Sequence, residues 1–397
     1  MSVSPFTKQQ LLPQEEKLEV FKQRSQLFIG IPRETCFQER RICLTPDAVN
    51  SLTSNGHRVM LEVGAGIGSG FSDKEYSEAG AEITSDTKKV FGCPIILKIE
   101  PPTSEEIELL NPKTIIISAI QLKTRKSSYF EALHKKKTTA LAFEFIMDEG
   151  GSFPAIKSFS EIAGTASILI AAELMINNHH GKGLLFGNII GIPPTDVMIL
   201  GAGTVGEFAA KTAIGLGANV KVFDNSLSKL RRLQNVLGQH ISTSTIQPKA
   251  LLKAIQRCDV AIGALKGKDR CPVIVSDGMV QQMKKGAVIV DVSIDTGGCF
   301  ETSEVTSHEQ PTFEKHGVIH YCVPNIPSRY SRTASVAISN IFTPFLLNIA
   351  EDGGIESSIR RNNGLKSGVY LYHGILTNKV IADWFDIPHS DINLIVF

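Results

Sequence analysis

The sequence predicts an α/β protein built from two Rossmann-like, doubly wound parallel-sheet domains joined by long helices. Three observations predict this fold class. Short β-rich runs alternate with helical patterns in two separate series, a long apolar helical pattern follows each series, and a glycine-rich turn opens the second one. The 397 residues are enough for two domains of ordinary size.

The first series lies between residues 27 and 143. Its five β-rich runs are LFIGI (27–31), RVMLEV (58–63), PIILKI (94–99), TIIIS (114–118) and TALAF (139–143). Helical patterns lie between these runs, for example PDAVNSLTSNG (46–56) and SSYFEALHKKK (127–137). Strands that alternate with helices predict a parallel sheet with crossover helices. The residues before this series, 1–26, are polar, and one helix is predicted there over 15–24.

A long apolar pattern at residues 160–180 separates the two series. It is too extended for one strand and contains no proline, so we predict one buried helix that joins the two lobes. Ser160 is the candidate N-terminal cap of this helix, because its hydroxyl can accept from the free N–H groups of the first turn.

The second series follows a loop rich in glycine and proline. Its β-rich runs are DVMIL (196–200), NVKVF (219–223), DVAIGA (259–264), AVIVDV (287–292) and VIHYCV (318–323). A second long helical pattern, at 335–349, could fold back onto the first lobe. We therefore predict a discontinuous first domain, residues 1–154 plus 332–397, and a second domain at 155–331.

Composition excludes several classes of protein. Lys and Arg total 41 against 40 for Asp and Glu, so the net charge of +1 offers no general attraction to nucleic acid or to an anionic membrane. The seven cysteines include no C-x-x-C pair, and no cluster of acidic or histidine residues predicts a metal site. With no signal-peptide pattern and no apolar run of membrane-spanning length, we expect a cytoplasmic protein that binds small molecules.

The strongest local motif is VMILGAGTVGEFAAK, in which Gly201, Gly203 and Gly206 form G-x-G-x-x-G between an apolar strand and an Ala-rich helix. This context predicts a dinucleotide whose pyrophosphate lies at the helix N-terminus. Asp224 ends the next strand, where a carboxylate binds the ribose hydroxyls and repels a 2′-phosphate. The sequence therefore favours NAD over NADP. The two arginines at 231–232 could weaken that preference, although a solvated helix face is the simpler interpretation.

Several further segments resemble the alanine dehydrogenase/pyridine nucleotide transhydrogenase family, and alanine dehydrogenase more closely. They are IGIPRET (29–35), RRICLTPDAV (40–49), GHRVMLEVGAG (56–66), ILKIEPP (96–102), SEIAG (160–164), VDVSIDTGGCFETS (290–303) and VPNIPSRYSRTAS (323–335). The resemblance implies NAD-dependent oxidative deamination of L-alanine to pyruvate and ammonia by hydride transfer to nicotinamide. It also implies that the first domain holds the substrate, that the second domain holds NAD, and that the chain forms a homo-oligomer, commonly a hexamer.

The resemblance assigns roles to individual residues. Arg41 matches the arginine that binds the substrate carboxylate, and Asp295 matches the aspartate beside the nicotinamide and the substrate. The matching cofactor-binding positions are Ser160, Gly201, Gly203, Thr204, Val205, Gly206, Asp224, Lys229, Ala264, Leu265, Val292, Ile294, Asp295 and Asn325.

Two positions depart from the family's pattern. Glu100 lies where the family has a substrate-binding lysine, and Gln121 lies where it has a histidine. We therefore predict Asp295, Gln121 and Glu100 as the catalytic set, with Lys98 beside Arg41 in substrate binding. We also expect Glu100 to pair with a basic neighbour, for which Lys98 and Lys123 are the candidates, or to contact the ammonium group of the substrate.

These departures leave two alternatives open. One is a diverged oxidoreductase that uses the same scaffold for another substrate. The other is an NAD-binding regulatory protein without catalytic activity, although the SIDTGGCFE segment counts against it because NAD binding alone would not require it.

Overall fold

The computed structural model describes residues 25–177, 181–267 and 270–396. The helix predicted over 15–24 lies outside these residues. Two β-sheets organise the described chain. Their strands, in chain order, are β1 (Phe28–Ile31), β2 (Arg58–Glu62), β3 (Glu82–Thr84), β4 (Ile95–Leu97), β5 (Ile115–Ser118), β6 (Thr139–Ala142), β7 (Asp196–Leu200), β8 (Asn219–Phe223), β9 (Ser242–Ser244), β10 (Val260–Gly263), β11 (Val288–Asp291), β12 (Thr312–Lys315), β13 (Val318–Tyr321), β14 (Val369–Tyr372) and β15 (Ile375–Leu376).

The first sheet has the order β15-β14-β6-β5-β4-β1-β2-β3, and the second has the order β12-β13-β11-β10-β7-β8-β9. All pairs are parallel except those of β12 with β13, β14 with β6, and β14 with β15. Among the parallel strands of each sheet the direction of the crossovers reverses between β1 and β4 in the first sheet and between β7 and β10 in the second. This is the doubly wound arrangement that the alternating pattern predicts, and its ligand sites lie beyond the strand ends at the reversal.

Helices connect the strands and cover both sheets. They are α1 (Pro46–Ser54), α2 (Asp73–Glu78), α3 (Thr87–Phe91), α4 (Ser104–Leu109), α5 (Ser127–Lys135), α6 (Pro154–Leu174), α7 (Thr204–Gly215), α8 (Leu227–Leu237), α9 (Pro248–Ile255), α10 (Asp277–Val280), α11 (Ile326–Arg329), α12 (Ser331–Glu351), α13 (Ile355–Arg361), α14 (Asn363–Gly368), α15 (Lys379–Phe385) and α16 (Ile392–Ile395). The predicted crossover helices at 46–56 and 127–137 correspond to α1 and α5.

The helix between the two series, α6, begins earlier than predicted. Pro154 occupies the first helical position, where a missing N–H costs nothing and the fixed φ favours the helix. Ser160 therefore lies inside the helix, and its predicted role as the cap is wrong. Further along, a Cβ on Gly164 would collide with the backbone carbonyl of Val205, so glycine at this position lets α6 and α7 pack closely.

The C-terminal segment returns to the first sheet. The buried face of α12, which includes Ile338 and Phe342, shares a core with strand β1. Two serines of the same helix accept hydrogen bonds from the segment after β1, Ser335 from Ile42 N–H at 2.9 Å and Ser339 from Thr45 N–H at 3.0 Å. Strand β14 then extends the sheet beside β6.

Two of the described helices, α6 and α12, are long and apolar enough to cross a membrane by length and composition alone. Both contribute buried side chains to the cores of the lobes, and they contact each other. The core helices of globular proteins share these properties, so the finding is weak evidence for a membrane span.

Candidate active site

The segments that follow β1 and β13 meet where the two lobes touch. Five hydrogen bonds join residues 38–40 of the first lobe to the second lobe. They are Ser328 Oγ to Gln38 O at 2.6 Å, Arg40 N to Ser328 Oγ at 3.2 Å, His308 N to Gln38 Oε1 at 2.9 Å, Asn325 Nδ2 to Glu39 Oε2 at 3.0 Å and, more weakly, Ser328 Oγ to Glu39 Oε1 at 3.4 Å. We call the surroundings of residues 38–41 and 325–328 the lobe junction.

Arg41 lies at the lobe junction with only 6% of its surface exposed. Its Nε and Nη2 donate to the two carboxylate oxygens of Glu39 at 2.8 and 2.5 Å, and its guanidinium lies 4.7 Å from the ring centroid of Phe159. Among the described residues, Nη1 of Arg41 makes no hydrogen bond. One edge of the guanidinium is thus bound by Glu39, and the other edge can bind a second carboxylate.

Glu39 was missed by the sequence reasoning. Although burial opposes its charge, the charge and hydrogen bonds of Arg41 lower the pKa of Glu39 to about 2. The same contact raises the pKa of the buried Arg41 guanidinium. The signal in the sequence was weak, because an acidic residue two positions before an arginine is common on protein surfaces.

Glu100 follows β4 and lies beside this ion pair, 6% exposed. Gln121 Nε2 donates to Glu100 Oε2 at 2.5 Å, and Arg41 Nη2 lies 3.7 Å from Glu100 Oε1. Burial, followed by the charge of Glu39, raises the pKa of Glu100 to about 7. The structure therefore brings together Arg41, Glu100 and Gln121, three of the predicted site residues.

Lys98 lies apart from this group. It is 1% exposed, and its Nζ donates to both oxygens of Glu106 at 2.7 Å and lies 3.7 Å from Glu34 Oε2. The expectation that Lys98 pairs with Glu100 is wrong, because β4 ends at Leu97 and strand alternation does not extend to residue 100. The basic neighbour of Glu100 is Arg41, and Lys98 belongs to a buried ion pair.

Gln121 lies in a left-handed conformation, with φ 47° and ψ 55°, at the start of a 3-10 turn. Glu144 holds this turn, because its carboxylate accepts from Ile120 N–H at 2.6 Å and more weakly from Gln121 N–H at 3.4 Å. The amide of Gln121 can donate and accept hydrogen bonds but cannot carry a proton near neutral pH.

Asp295 lies in the 3-10 turn after β11 and is exposed where the lobes meet. Although part of this residue is exposed, the surrounding protein removes water from its carboxyl group, and this desolvation raises the pKa of Asp295. A hydrogen bond from Asn325 N–H to Oδ1 at 3.1 Å opposes the shift. Asn325 adopts φ 55° and ψ 46°, a left-handed conformation that asparagine tolerates better than most residues. Through its backbone and its side chain, Asn325 joins Asp295 to Glu39, the partner of Arg41.

Asp291 fixes the loop that carries Asp295. It is fully buried, and it accepts from Ser293 N–H at 3.0 Å, Cys299 N–H at 2.9 Å and the Ser303 hydroxyl at 2.7 Å. The sequence alone does not identify this structural role, because an acidic residue at the end of a strand is equally typical of a residue that contacts a ligand.

The glycine-rich loop follows β7 at the reversal of the second sheet. Gly201 has φ 115°, and a Cβ there would collide with the carbonyl oxygen of Ala264. A Cβ on Gly206 would collide with the carbonyl oxygen of Gly201, whereas Gly203 faces open space. Since α7 begins at Thr204, the loop forms a cradle at a helix N-terminus that fits a pyrophosphate.

Asp224 follows β8 beside this cradle and is 7% exposed. Its Oδ2 accepts from Ala202 N–H and its Oδ1 from Ser226 N–H, both at 2.8 Å. Arg232 reaches the same loop, donating to Ala202 O at 3.1 Å and pairing with Glu207 at 2.5 Å. Arg232 therefore contacts the glycine-rich loop, and the interpretation of this residue as part of a solvated helix face is incomplete.

The other predicted cofactor positions surround the cradle or lie further along the chain. Val205 is in the first turn of α7, Ala264 and Leu265 follow β10, and Val292 and Ile294 lie in the turn of Asp295. Lys229 is in the first turn of α8, with its side chain exposed, and Ser160 is in α6.

Comparison with known proteins identifies the family. The model named "Alanine dehydrogenase/PNT, N-terminal domain" matches residues 30–163, and "Alanine dehydrogenase/PNT, C-terminal domain" matches residues 167–379. The chain belongs to the alanine dehydrogenase/pyridine nucleotide transhydrogenase family. The resemblance inferred from the sequence is confirmed.

The relatives in this family match over most of their length. An alanine dehydrogenase of Bacillus subtilis (strain 168) is 38% identical over 358 residues, which are 90% of this chain and 94% of the relative. One from Methanococcus maripaludis is 37% identical over 367 residues, 92% of this chain and 98% of the relative.

A solved L-alanine dehydrogenase superposes on the chain with a TM-score of 0.85 at 34% identity, covering 91% of this chain and 99% of that one. A transhydrogenase from Sinorhizobium meliloti has a TM-score of 0.76 at 23% identity, covers 89% of this chain and 99% of that one, and shows the fold alone. The predicted α/β fold with two parallel-dominated sheets is confirmed.

Proposed function

We propose that the chain is an NAD-dependent amino-acid dehydrogenase, an oxidoreductase that acts on CH–NH2 groups. Its reaction is the oxidative deamination of L-alanine, or of a close amino acid, to the 2-oxo acid and ammonia. The names of the relatives that match nearly the whole chain support this reaction. The observation that carries the proposal is the pair of hydrogen bonds by which Asn325 joins Asp295 to Glu39 and hence to Arg41.

In this proposal Arg41 binds the substrate carboxylate. Its Nε edge is bound by Glu39, so the guanidinium is held in place and offers Nη1 and the second N–H of Nη2 to the ligand. The face of Phe159 lies against the guanidinium and excludes water from one side.

Asp295 is placed beside the reacting carbon. Bound NAD would supply the nicotinamide carbon that accepts the hydride from the substrate. The carboxylate of Asp295, held by Asn325 N–H, would orient the substrate amine and stabilise the positive charge that develops on its nitrogen. Removal of Asp295 should therefore reduce turnover more than it reduces cofactor binding.

NAD is the proposed cofactor. The collisions that a Cβ would cause at Gly201 and Gly206 support a backbone cradle for the pyrophosphate, with Gly203, Thr204 and Val205 at its rim. The carboxylate of Asp224 would meet the adenosine ribose, where it disfavours a 2′-phosphate. Arg232 reaches the same loop, and its positive charge reduces the preference for NAD over NADP. The negative charge of Asp224 still opposes a 2′-phosphate.

The wider assignments follow from the same proposal. Residues 1–154 and 332–397 would form the substrate domain and residues 155–331 the NAD domain. The chain would act as a cytoplasmic homo-oligomer, a hexamer by resemblance to its family.

Glu100 and Gln121 favour one alternative, a related oxidoreductase with another substrate, because glutamate repels the carboxylate that lysine would attract. The test is a spectrophotometric screen of NAD and NADP reduction with the L-amino acids, including L-alanine. Alanine-dependent NAD reduction supports the proposal, and reduction with a different amino acid supports the alternative. Binding of NAD without reduction by any amino acid would leave a non-catalytic NAD-binding protein.

A further inference from the structure

Glu100 is a buried carboxyl group of the lobe junction whose negative charge receives little compensation from the described residues. Glu39 accepts bonds from the side chains of Arg41 and Asn325, and both of its oxygens are occupied. Glu100 accepts one side-chain hydrogen bond, from the uncharged amide of Gln121. Its nearest cation is Arg41 at 3.7 Å, beyond hydrogen-bonding distance.

The dimensions of an α-amino acid match this arrangement. Its ammonium nitrogen and carboxylate carbon are about 2.5 Å apart from standard bond lengths and angles. A carboxylate bound at the free edge of Arg41 thus places the ammonium group within reach of Glu100, which lies on the same side of the guanidinium as Nη2. A 2-oxo acid bound in the same way would bring a carbonyl oxygen against the carboxylate instead.

We propose that Glu100 binds the α-ammonium group of the substrate and makes the pocket selective for amino acids over the corresponding 2-oxo acids. This inference rests on the proposed function, since it uses Arg41 as the carboxylate ligand. It assigns Glu100 a specificity role that a lysine at the same position could not fill, because lysine would repel an ammonium group and attract an oxo acid.

The protonation of Glu100 sets the direction of the pH response. The titratable and charged groups that face it are Glu39, Arg41, Glu34 and Cys36. Since the pKa of Glu100 is raised to about 7, the carboxyl is largely neutral in mild acid and ionised in mild base. Amino-acid binding should therefore strengthen, and oxo-acid binding should weaken, as the pH rises through this range.

The experiment is calorimetric titration of two complexes of the full chain that cannot turn over, L-alanine with NADH present and pyruvate with NAD present. At about pH 8.5, Glu100→Gln should weaken L-alanine by at least about tenfold, the loss expected for one hydrogen bond to a charged group, and should tighten pyruvate. Between about pH 6 and about pH 8.5 its pyruvate affinity should stay flat, whereas that of the wild type falls.

Glu34→Gln is the matched control. Glu34 is also a buried carboxyl with a pKa raised to about 7, but its oxygens face Ile99 N–H and Lys98 and do not contact Arg41 or Gln121. This variant should keep the direction of the wild-type pH response and most of its size, because Glu34 acts on Glu100 and Arg41 only by charge through space. The inference is overturned if the wild type does not bind L-alanine, if Glu100→Gln binds it like the wild type, or if Glu34→Gln is the variant that flattens the response. L-alanine binding that depends on Glu100 without NAD reduction would refute the proposed function alone.

Discussion

Replacement of Glu34 by Gln should make the protein more stable in mild base and leave its stability unchanged in mild acid. Glu34 is buried beside β4, where its Oε1 accepts from Ile99 N–H at 2.6 Å and its Oε2 has no hydrogen-bond partner. Burial, opposed in part by Lys98, raises the pKa of Glu34 from its usual 4.5 to about 7. A glutamine at this position can still accept the Ile99 bond and does not titrate.

The sign follows from proton binding. Between the unfolded pKa of 4.5 and the folded pKa of about 7, the folded protein holds a proton that the unfolded chain has released. The free energy of unfolding of the wild type therefore decreases as the pH rises through this window. At 1.36 kcal/mol per pKa unit the full loss is about 3 kcal/mol, an upper bound for a group with a nearby cation.

The assay is urea unfolding of the wild type and of Glu34→Gln at about pH 4 and about pH 8. The difference in unfolding free energy between the two proteins should increase in favour of the variant by up to about 3 kcal/mol on going to the higher pH. Glu78→Gln, at an exposed position of α2, removes a carboxylate elsewhere and should leave the wild-type dependence in place. A difference between Glu34→Gln and the wild type that does not change with pH would refute the reasoning.

Three further substitutions test the proposed roles. Asp224→Ala should weaken NAD and narrow the preference over NADP in fluorescence titrations, whereas equal affinity of the unmodified protein for both cofactors would contradict the assignment. Asp295→Asn should lower kcat by about 10²-fold or more with little change in the Kd for NAD, and an unchanged kcat would exclude a role in the chemical step. Glu100→Lys combined with Gln121→His should lower kcat/KM for L-alanine in steady-state NAD reduction, because a lysine repels the ammonium group that Glu100 is proposed to bind, and a higher kcat/KM would contradict that role.

The fold was predictable because its signals are local. The alternation of β-rich and helical patterns indicates both sheets, and the G-x-G-x-x-G loop lies at the reversal between β7 and β10 where the pattern predicts it. The start of α6 was misplaced by six residues, from 160 to 154, because a serine and a proline are both good starts for a helix.

The candidate site was only partly predictable, because its ion pairs form between segments that are distant in sequence. Arg41 and Glu100 were found by their motifs, but their approach to 3.7 Å depends on the reversal of strand order between β1 and β4. Lys98 was assigned to the wrong partner because strand β4 ends one residue before it. Glu39 carries no motif of its own, and only the folded chain shows that it occupies one edge of the guanidinium.

The bond between Glu39 and Arg41 has a consequence for the thermodynamics of ligand capture. An arginine side chain holds about 2 kcal/mol of rotamer entropy when it is free. Here that freedom is lost when the chain folds, since Glu39 and Phe159 already fix the guanidinium. A ligand that binds to the free edge therefore meets a guanidinium that is already oriented. The entropic cost of ordering Arg41 arises when the chain folds, and it does not reduce the affinity for the ligand.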